Sequence, residues 1–305
     1  SFNVSNDNNS LFSVQPAISS SGDLTYTLAE HANGTAEVII NLSDNGGVSN
    51  GGANQSEDQT FNINVTSIND APSFTTGSDE DVLEDSGLLN AHTVTDWATS
   101  ISSGPPDESG QTLSFNVSND NNSLFSVQPA ISSSGDLTYT LAEHANGTAE
   151  VIINLSDNGG VSNGGANQSE DQTFNINVTS INDAPVFSSL PNNITVNEGF
   201  SGTQTVTVTP GDVPADESDQ TVIYSLSPSS VTFATVVINS NNGAVSVDAV
   251  GDSSGNEIFT ITADDGGGTA NGGVETSTQT FSLTVNPVND APSFTTGSDE
   301  DVLED

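Results

Sequence analysis

Three histidines and three tyrosines aside, every ionisable side chain in this 305-residue chain is a carboxylate: 41 Asp and Glu stand against no Lys and no Arg. Clustered carboxylates with no bases nearby can spread into solvent, take up protons, or bind a cation. Paired carboxylates can also hydrolyse glycosidic bonds. Acids that recur at the same place in every repeat are better explained by a repeated junction. Cysteine is absent, which removes disulfides, thiolate nucleophiles and Cys-based zinc sites. His31 and His144 are copies of one position, and neither they nor His92 lie near a nucleophile-elbow motif. Surface or strand-edge roles are expected for them, and no enzyme activity. A net charge near −41 repels nucleic acid and anionic membranes. No run approaches 18 apolar residues, so no membrane insertion is expected in this segment. No signal peptide is visible and Met is absent, so we expect a window cut from a longer array. Such a charge suits an extracellular setting, where salt and divalent ions are plentiful.

The elements that must position these acids repeat. Residues 1–72 recur letter for letter as 114–185, and Asn-Asp-Ala-Pro stands at 69–72, 182–185 and 289–292. Proline there favours an extended conformation before it, as in a short stiff linker. The expected domains are 1–70 (the back part of one repeat), 71–183 (a complete repeat of that type), 184–290 (a diverged repeat) and 291–305 (the start of another). Residues 289–305 restate 69–85.

Within a repeat the pattern is all β. Leu113-x-Phe115-x-Val117, Val151-x-Ile153-x-Leu155 and Phe174-x-Ile176-x-Val178 alternate with period two, as half-buried strands do. Turn chemistry separates the runs at Ser133–Gly135 and Asn158–Gly165. Six such runs, with a first strand near Val82 or Thr195, predict about seven strands per repeat and a Greek-key β-sandwich. Tandem sandwiches stacked end to end are expected. Residues 1–68 lack counterparts of Ser73–Leu113 and are not expected to close a sandwich alone. Asp7-Asn-Asn-Ser and its copy at Asp120 lack the glycine and distal Glu of an EF-hand loop and read as hairpin turns. Trp97 reads as a loop-packing anchor rather than a sugar-stacking platform.

Asn182-Asp-Ala-Pro-Val-Phe187, Val196-Asn-Glu198-Gly and Ile261-Thr-Ala-Asp264-Asp-Gly-Gly267 resemble the marks of a cadherin repeat. The other repeat type, with Asp107-Glu-Ser-Gly-Gln111, Asp157-Asn-Gly-Gly160 and Asn163-Gly-Gly165, resembles the bacterial cadherin-like modules of very large surface proteins. The resemblance implies calcium at each junction, held by acids from the base of one domain, the linker and the top of the next. By that resemblance the ligands at the first junction are Glu30, Asn69, Asp70, Asp96, Asp107 and Asp157. At the second they are Glu84, Glu143, Asn182, Asp183, Asp216 and Asp264, with Asp212 or Asp219 as alternatives beside Asp216. Glu198, Asp252, Asn289 and Asp290 begin a third. Leu141-Ala-Glu143-His144 stands where cadherins carry Leu-Asp-Arg-Glu, so fewer than three ions per junction are expected.

The function so implied is an extracellular, bacterial structural module of a calcium-stiffened rod, fibre or adhesin stalk. Calcium and neighbouring repeats of the same protein would be its partners. The alternative is a carbohydrate- or cell-binding adhesion module, which a repeated row of exposed aromatics would favour.

Overall fold

The computed structural model describes residues 1–84, 91–189, 191–211 and 213–304. Strands and short 3-10 turns make up its regular structure, which is that of tandem β-sandwiches. It divides into two compact units. One takes in Ser1–Val82, the described residues on to Ala142, and Gly147–Asn177. The other takes in Leu83, Glu84, Glu143–Asn146 and Val178 onward.

The first copy of the repeated sequence contributes β1 (Phe2–Asn6), β2 (Phe12–Ile18), β3 (Leu24–Leu28), β4 (Gly34–Leu42) and β5 (Gln59–Val65). They form a β1-β4-β5 sheet and a β2-β3 pair. The following residues add β6 (Ser73–Thr75), β7 (Glu80–Leu83), β8 (Ala91–Val94) and β9 (Thr99–Ser102). The second copy adds β10 (Ser114–Asn119), β11 (Phe125–Ile131), β12 (Leu137–Leu141), β13 (Gly147–Ser156) and β14 (Gln172–Thr179). Here the sheets are β10-β13-β14-β7 and β11-β12-β8, with a β6-β9 ribbon. Period two does the sorting: Ala149, Val151, Ile153 and Leu155 of β13 are all fully buried, and the residues between them face outward.

One sequence thus sits in two environments. Leu137, Tyr139 and Leu141 of β12 are 0, 2 and 2% exposed, whereas their copies Leu24, Tyr26 and Leu28 of β3 are 39, 42 and 39% exposed. The second copy has β8 beside β12 and β7 beside β14. It also has Trp97, whose ring lies 4.3 Å from that of Phe174 and whose Nε1 donates to the Ser78 carbonyl at 3.0 Å. The first copy has no such strands, and β3 and β5 end their sheets. Its buried core is Leu11, Phe12, Ala36, Val38 and Ile63.

The second unit contains β15 (Ile194–Asn197), β16 (Gln204–Val206), β17 (Ile223–Ser227), β18 (Ala234–Ile238), β19 (Val245–Ala249), β20 (Gly255–Asp264) and β21 (Thr276–Asn286). The sheets β15-β21-β20-β17 and β16-β19-β18 enclose a core in which Phe259 stacks on Phe281 at 5.2 Å, among Tyr224, Val247, Ile261 and Leu283. β15 runs parallel to β21, and the other pairs in these two sheets are antiparallel.

Two expectations need correction. Strands β6 to β14 number nine rather than about seven, because the short polar runs Ser73–Thr75 and Thr99–Ser102 pair as a ribbon without any period-two signature. The Asp7 and Asp120 segments are not hairpin turns. Each crosses between sheets through a 3-10 turn, and its Asp Oδ1 accepts the backbone N–H of Glu37 or Glu150 at 2.8 Å. No helix among the described residues is long and apolar enough to cross a membrane.

Candidate metal centre

In the second unit the acids gather around the linker that starts at Asn182. Proline at 214 opens a 3-10 turn, Ala215–Glu217, which turns the Glu217 side chain inward to 4% exposure. Its Oε1 accepts the backbone N–H of Asp183 at 2.7 Å. Asn182 spans the gap to the loop after β20: its Nδ2 donates to Asp265 Oδ1 at 3.2 Å and to the Val274 carbonyl at 2.8 Å. The Asn182 Oδ1 accepts from Gln220 Nε2 at 2.8 Å. Glu84, fully buried, accepts the Ile181 N–H at 2.7 Å on Oε1 and Asn146 Nδ2 at 3.3 Å on Oε2. Asn146 also reaches Asp216 Oδ2 at 3.1 Å. His144, in the left-handed region at φ 53°, brings Nδ1 to 2.8 Å from Asp183 Oδ2.

The first unit repeats the arrangement. Asp70 N–H donates to Glu108 Oε1 at 2.8 Å, Asn69 Nδ2 to Asp157 Oδ1 at 3.0 Å, and Gln111 Nε2 to Asn69 Oδ1 at 2.6 Å. Asn33 Nδ2 donates to Asp107 Oδ2 at 2.6 Å, and His31 Nδ1 lies 3.1 Å from Asp70 Oδ2. A cleft of about 290 Å³ opens among His31, Asn33, Ile68, Asp70 and Asp107.

Of the residues singled out from sequence, Asn69, Asp70, Asp107 and Asp157 come together in the first unit, and Glu84, Asn182, Asp183 and Asp216 in the second. Glu30 and Glu143 lie outward, each bordering its neighbouring histidine at 3.6 and 3.7 Å. Asp96 lies beside the β11–β12 turn, where its backbone N–H donates to Asp136 Oδ1 at 3.0 Å. The carboxylate facing the second linker is Asp265, while Asp264 closes its own turn on the Gly266 N–H. Glu198 matches Glu84, with Oε1 accepting the Val288 N–H at 2.6 Å. Asn289 and Asp290 are exposed. Asp212 lies outside the described residues. Sequence reasoning passed over Glu108, Glu217 and Asp265. The first two carried a signal, since Asp-Glu-Ser-x-Gln recurs at 107–111 and 216–220 in otherwise diverged repeats.

The donors are hard oxygens of the kind calcium takes. Glu108 Oε2, Asp157 Oδ2 and Asp265 Oδ2 are buried without a hydrogen-bond partner, a costly state for a carboxylate that a bound cation would relieve. A cavity of about 30 Å³ lies among Asp183, Glu217, Gln220 and Asp265. As the side chains stand, no group of three or more His, Asp or Glu among the described residues is disposed to hold a metal ion. Asn146 and His144 occupy the carboxylates instead.

Burial raises the carboxyls of Glu84 and Glu217 above their ordinary 4.5, and the charges of Asp216 on both, and of Asp183 and Asp265 on Glu217, push the same way. Between 4.5 and those raised values the folded state binds more protons than the unfolded one. The stability these groups contribute is therefore present below 4.5 and lost as pH rises through the folded values. In chelator, the second unit is expected to melt at falling temperature as pH climbs above about 4.5, and Glu217→Gln should flatten that slope. An unchanged slope in the variant would count against this reading of Glu217.

No protein-family model matches the chain, and no curated protein sequence matches it. Among solved structures it is similar to mouse protocadherin-24 EC1-3, at 17% identity and TM-score 0.42 over 93% of this chain and 90% of that one. It is also similar to mouse cadherin-23 EC22-24, at 17% identity and TM-score 0.42 over 94% and 86%. The Drosophila N-cadherin EC1-4 structure follows at 13% identity and TM-score 0.32, over 93% and 67%.

Proposed function

We propose that the chain is an extracellular, non-enzymatic structural module of a calcium-stiffened rod, fibre or adhesin stalk, with a complete cadherin-like repeat at 71–183 and a diverged one at 184–290, flanked by the back part of a repeat at 1–70 and the start of another at 291–305. The observation that carries the reading is one junction built twice. In each unit a linker Asn-Asp is tied by its backbone to a buried glutamate of a 3-10 turn and by its side chain to a buried aspartate with an orphaned oxygen. Glu84, Asp183, Asp216, Glu217 and Asp265 would hold calcium at the second linker, and Asp70, Asp107, Glu108 and Asp157 at the first. For that, Asn146 and Asn33 must release their carboxylates, and His144 and His31 must give up Asp183 and Asp70. Calcium would supply the positive charge that the sequence lacks. Acids that now repel would become shared ligands, and a linker so tied resists bending. An aromatic platform for sugars has no support at Trp97, which is buried.

The test is a pair of melting curves, in calcium and in chelator. A free calcium level a hundredfold above Kd stabilises by about 2.7 kcal/mol, which raises the midpoint by roughly 5–10 °C for a unit of this size. Asp183→Ala should abolish the gain in the second unit alone, and small-angle scattering should report a longer particle in calcium. Identical curves and profiles in both buffers would end this reading.

A further inference from the structure

In the diverged repeat, β17 and β18 end the two sheets β15-β21-β20-β17 and β16-β19-β18. β18 pairs with β19 in one unbroken register from Ala234 to Ile238. Just beyond it, Asn239 N–H donates to the Ala244 carbonyl at 2.8 Å, which sets the alternation of the ladder. Thr235 and Val237 turn their N–H and C=O groups to β19, and Ala234, Val236 and Ile238 turn theirs off the open edge.

The sister strand β11 is guarded where β18 is not. Its register against β12 shifts twice, and Pro129 stands two residues before Ile131, where β18 has Val236 two residues before Ile238. A proline there has no N–H to give an added strand, and the shifts put the edge out of line.

Charge singles out the same place. Gln220–Val247 is the longest stretch of the chain without Asp or Glu, and it holds both β17 and β18. Within it Ile223 is 58% and Val237 56% exposed. A chain with net charge −41 has no Lys or Arg to meet the carboxylates of another copy. Two copies can therefore approach closely only where neither is charged. A basic partner would be drawn to the acids elsewhere and finds no charge to pair with on β18. An uncharged edge rich in β-branched residues, with an open ladder, is a template for its own kind.

We propose that β18 pairs antiparallel with β18 of a second copy, joining two three-stranded sheets into one of six strands. The register sets Val237 opposite its twin, so that the two exposed valines cover each other on the outer face. Val236 then exchanges both main-chain hydrogen bonds with Ile238 of the second copy, and the reverse pair does the same. The contact is isologous and closes at two copies. It uses no carboxylate, so it forms in chelator as it does in calcium, and salt strengthens it by screening the rest of the surface.

Light scattering over a concentration series, in chelator and moderate salt, is expected to show a mass rising from 31.1 kDa towards twice that value. Val236→Pro, which gives β18 the guard that β11 has, should hold the mass at the monomer value. That residue is only 7% exposed, so a second pair of variants is placed on the surface. The chain has no native Cys, and Val237→Cys should form a disulfide-linked dimer on mild oxidation, because its twin lies directly opposite. Thr235→Cys, exposed on the same face, should stay monomeric. Its twin lies about 14 Å away along the paired strands, too far to bridge. The proposal is overturned by a monomer at every soluble concentration, by a dimer of folded Val236→Pro, or by cross-linking at 237 that does not exceed that at 235.

Discussion

Leu137→Ala is expected to lower stability by about 2–5 kcal/mol, the usual cost of emptying a fully buried leucine site. Leu24→Ala, the same substitution in the same local sequence, should cost about 1 kcal/mol or less. The difference rests on burial alone, since Leu137 is fully enclosed between β11 and β8 and Leu24 is 39% exposed at a sheet edge. Propensity, neighbours in sequence and the effect on the unfolded chain cancel between the two positions. Denaturant unfolding of each single variant measures it. Equal losses would mean that β3 is buried in solution, as it would be if another strand covered it.

Gly267→Ala should be about as damaging, although the residue is in a loop. A Cβ at 267 would overlap the Asn182 Oδ1 and come within 2.7 Å of Gln220 Nε2. Asn182 would then leave its seat and forfeit its bonds to Asp265, Val274 and Gln220. The bond to Val274 is exposed, whereas those to Asp265 and Gln220 are partly buried. At about 1–3 kcal/mol for each of the two polar groups so stranded, a total of roughly 2–6 kcal/mol is expected. Gly159→Ala meets Asn69 in the same way in the first unit. Gly110→Ala meets nothing within 4 Å and serves as the neutral control. If Gly159→Ala melts with Gly110→Ala, the linker asparagine does not hold its loop.

The strands that bury alternate residues were legible in the sequence where period two is written directly into it, as in β10, β13 and β14. β6 and β9 were not, being short, rich in Ser and Thr, and defined by their partner. At the candidate centre the linker Asn-Asp pairs were legible from their repetition, and Asp107, Asp157 and Asp216 from the resemblance to cadherin repeats. Glu108 and Glu217 were missed because burying an unpaired acid contradicts composition-level expectation, and it is a Pro-initiated 3-10 turn that forces it. Asp264 and Asp265 are adjacent acids in one loop, and the strand pleat decides which of them faces the linker. Asp96 is brought to the β11–β12 turn by a left-handed backbone at φ 53°, which spacing alone does not encode.

The letter-for-letter copy has a consequence for how the molecule can be observed. Any peptide cleaved from within 1–72 has the same mass as its counterpart from 114–185. Hydrogen exchange read by mass spectrometry therefore records Leu24–Leu28 and Leu137–Leu141 as a single species. Two protections then appear as two isotopic envelopes of one peptide, with digestion, back-exchange and intrinsic rate common to both. The exposed copy becomes the reference for the buried one inside every spectrum.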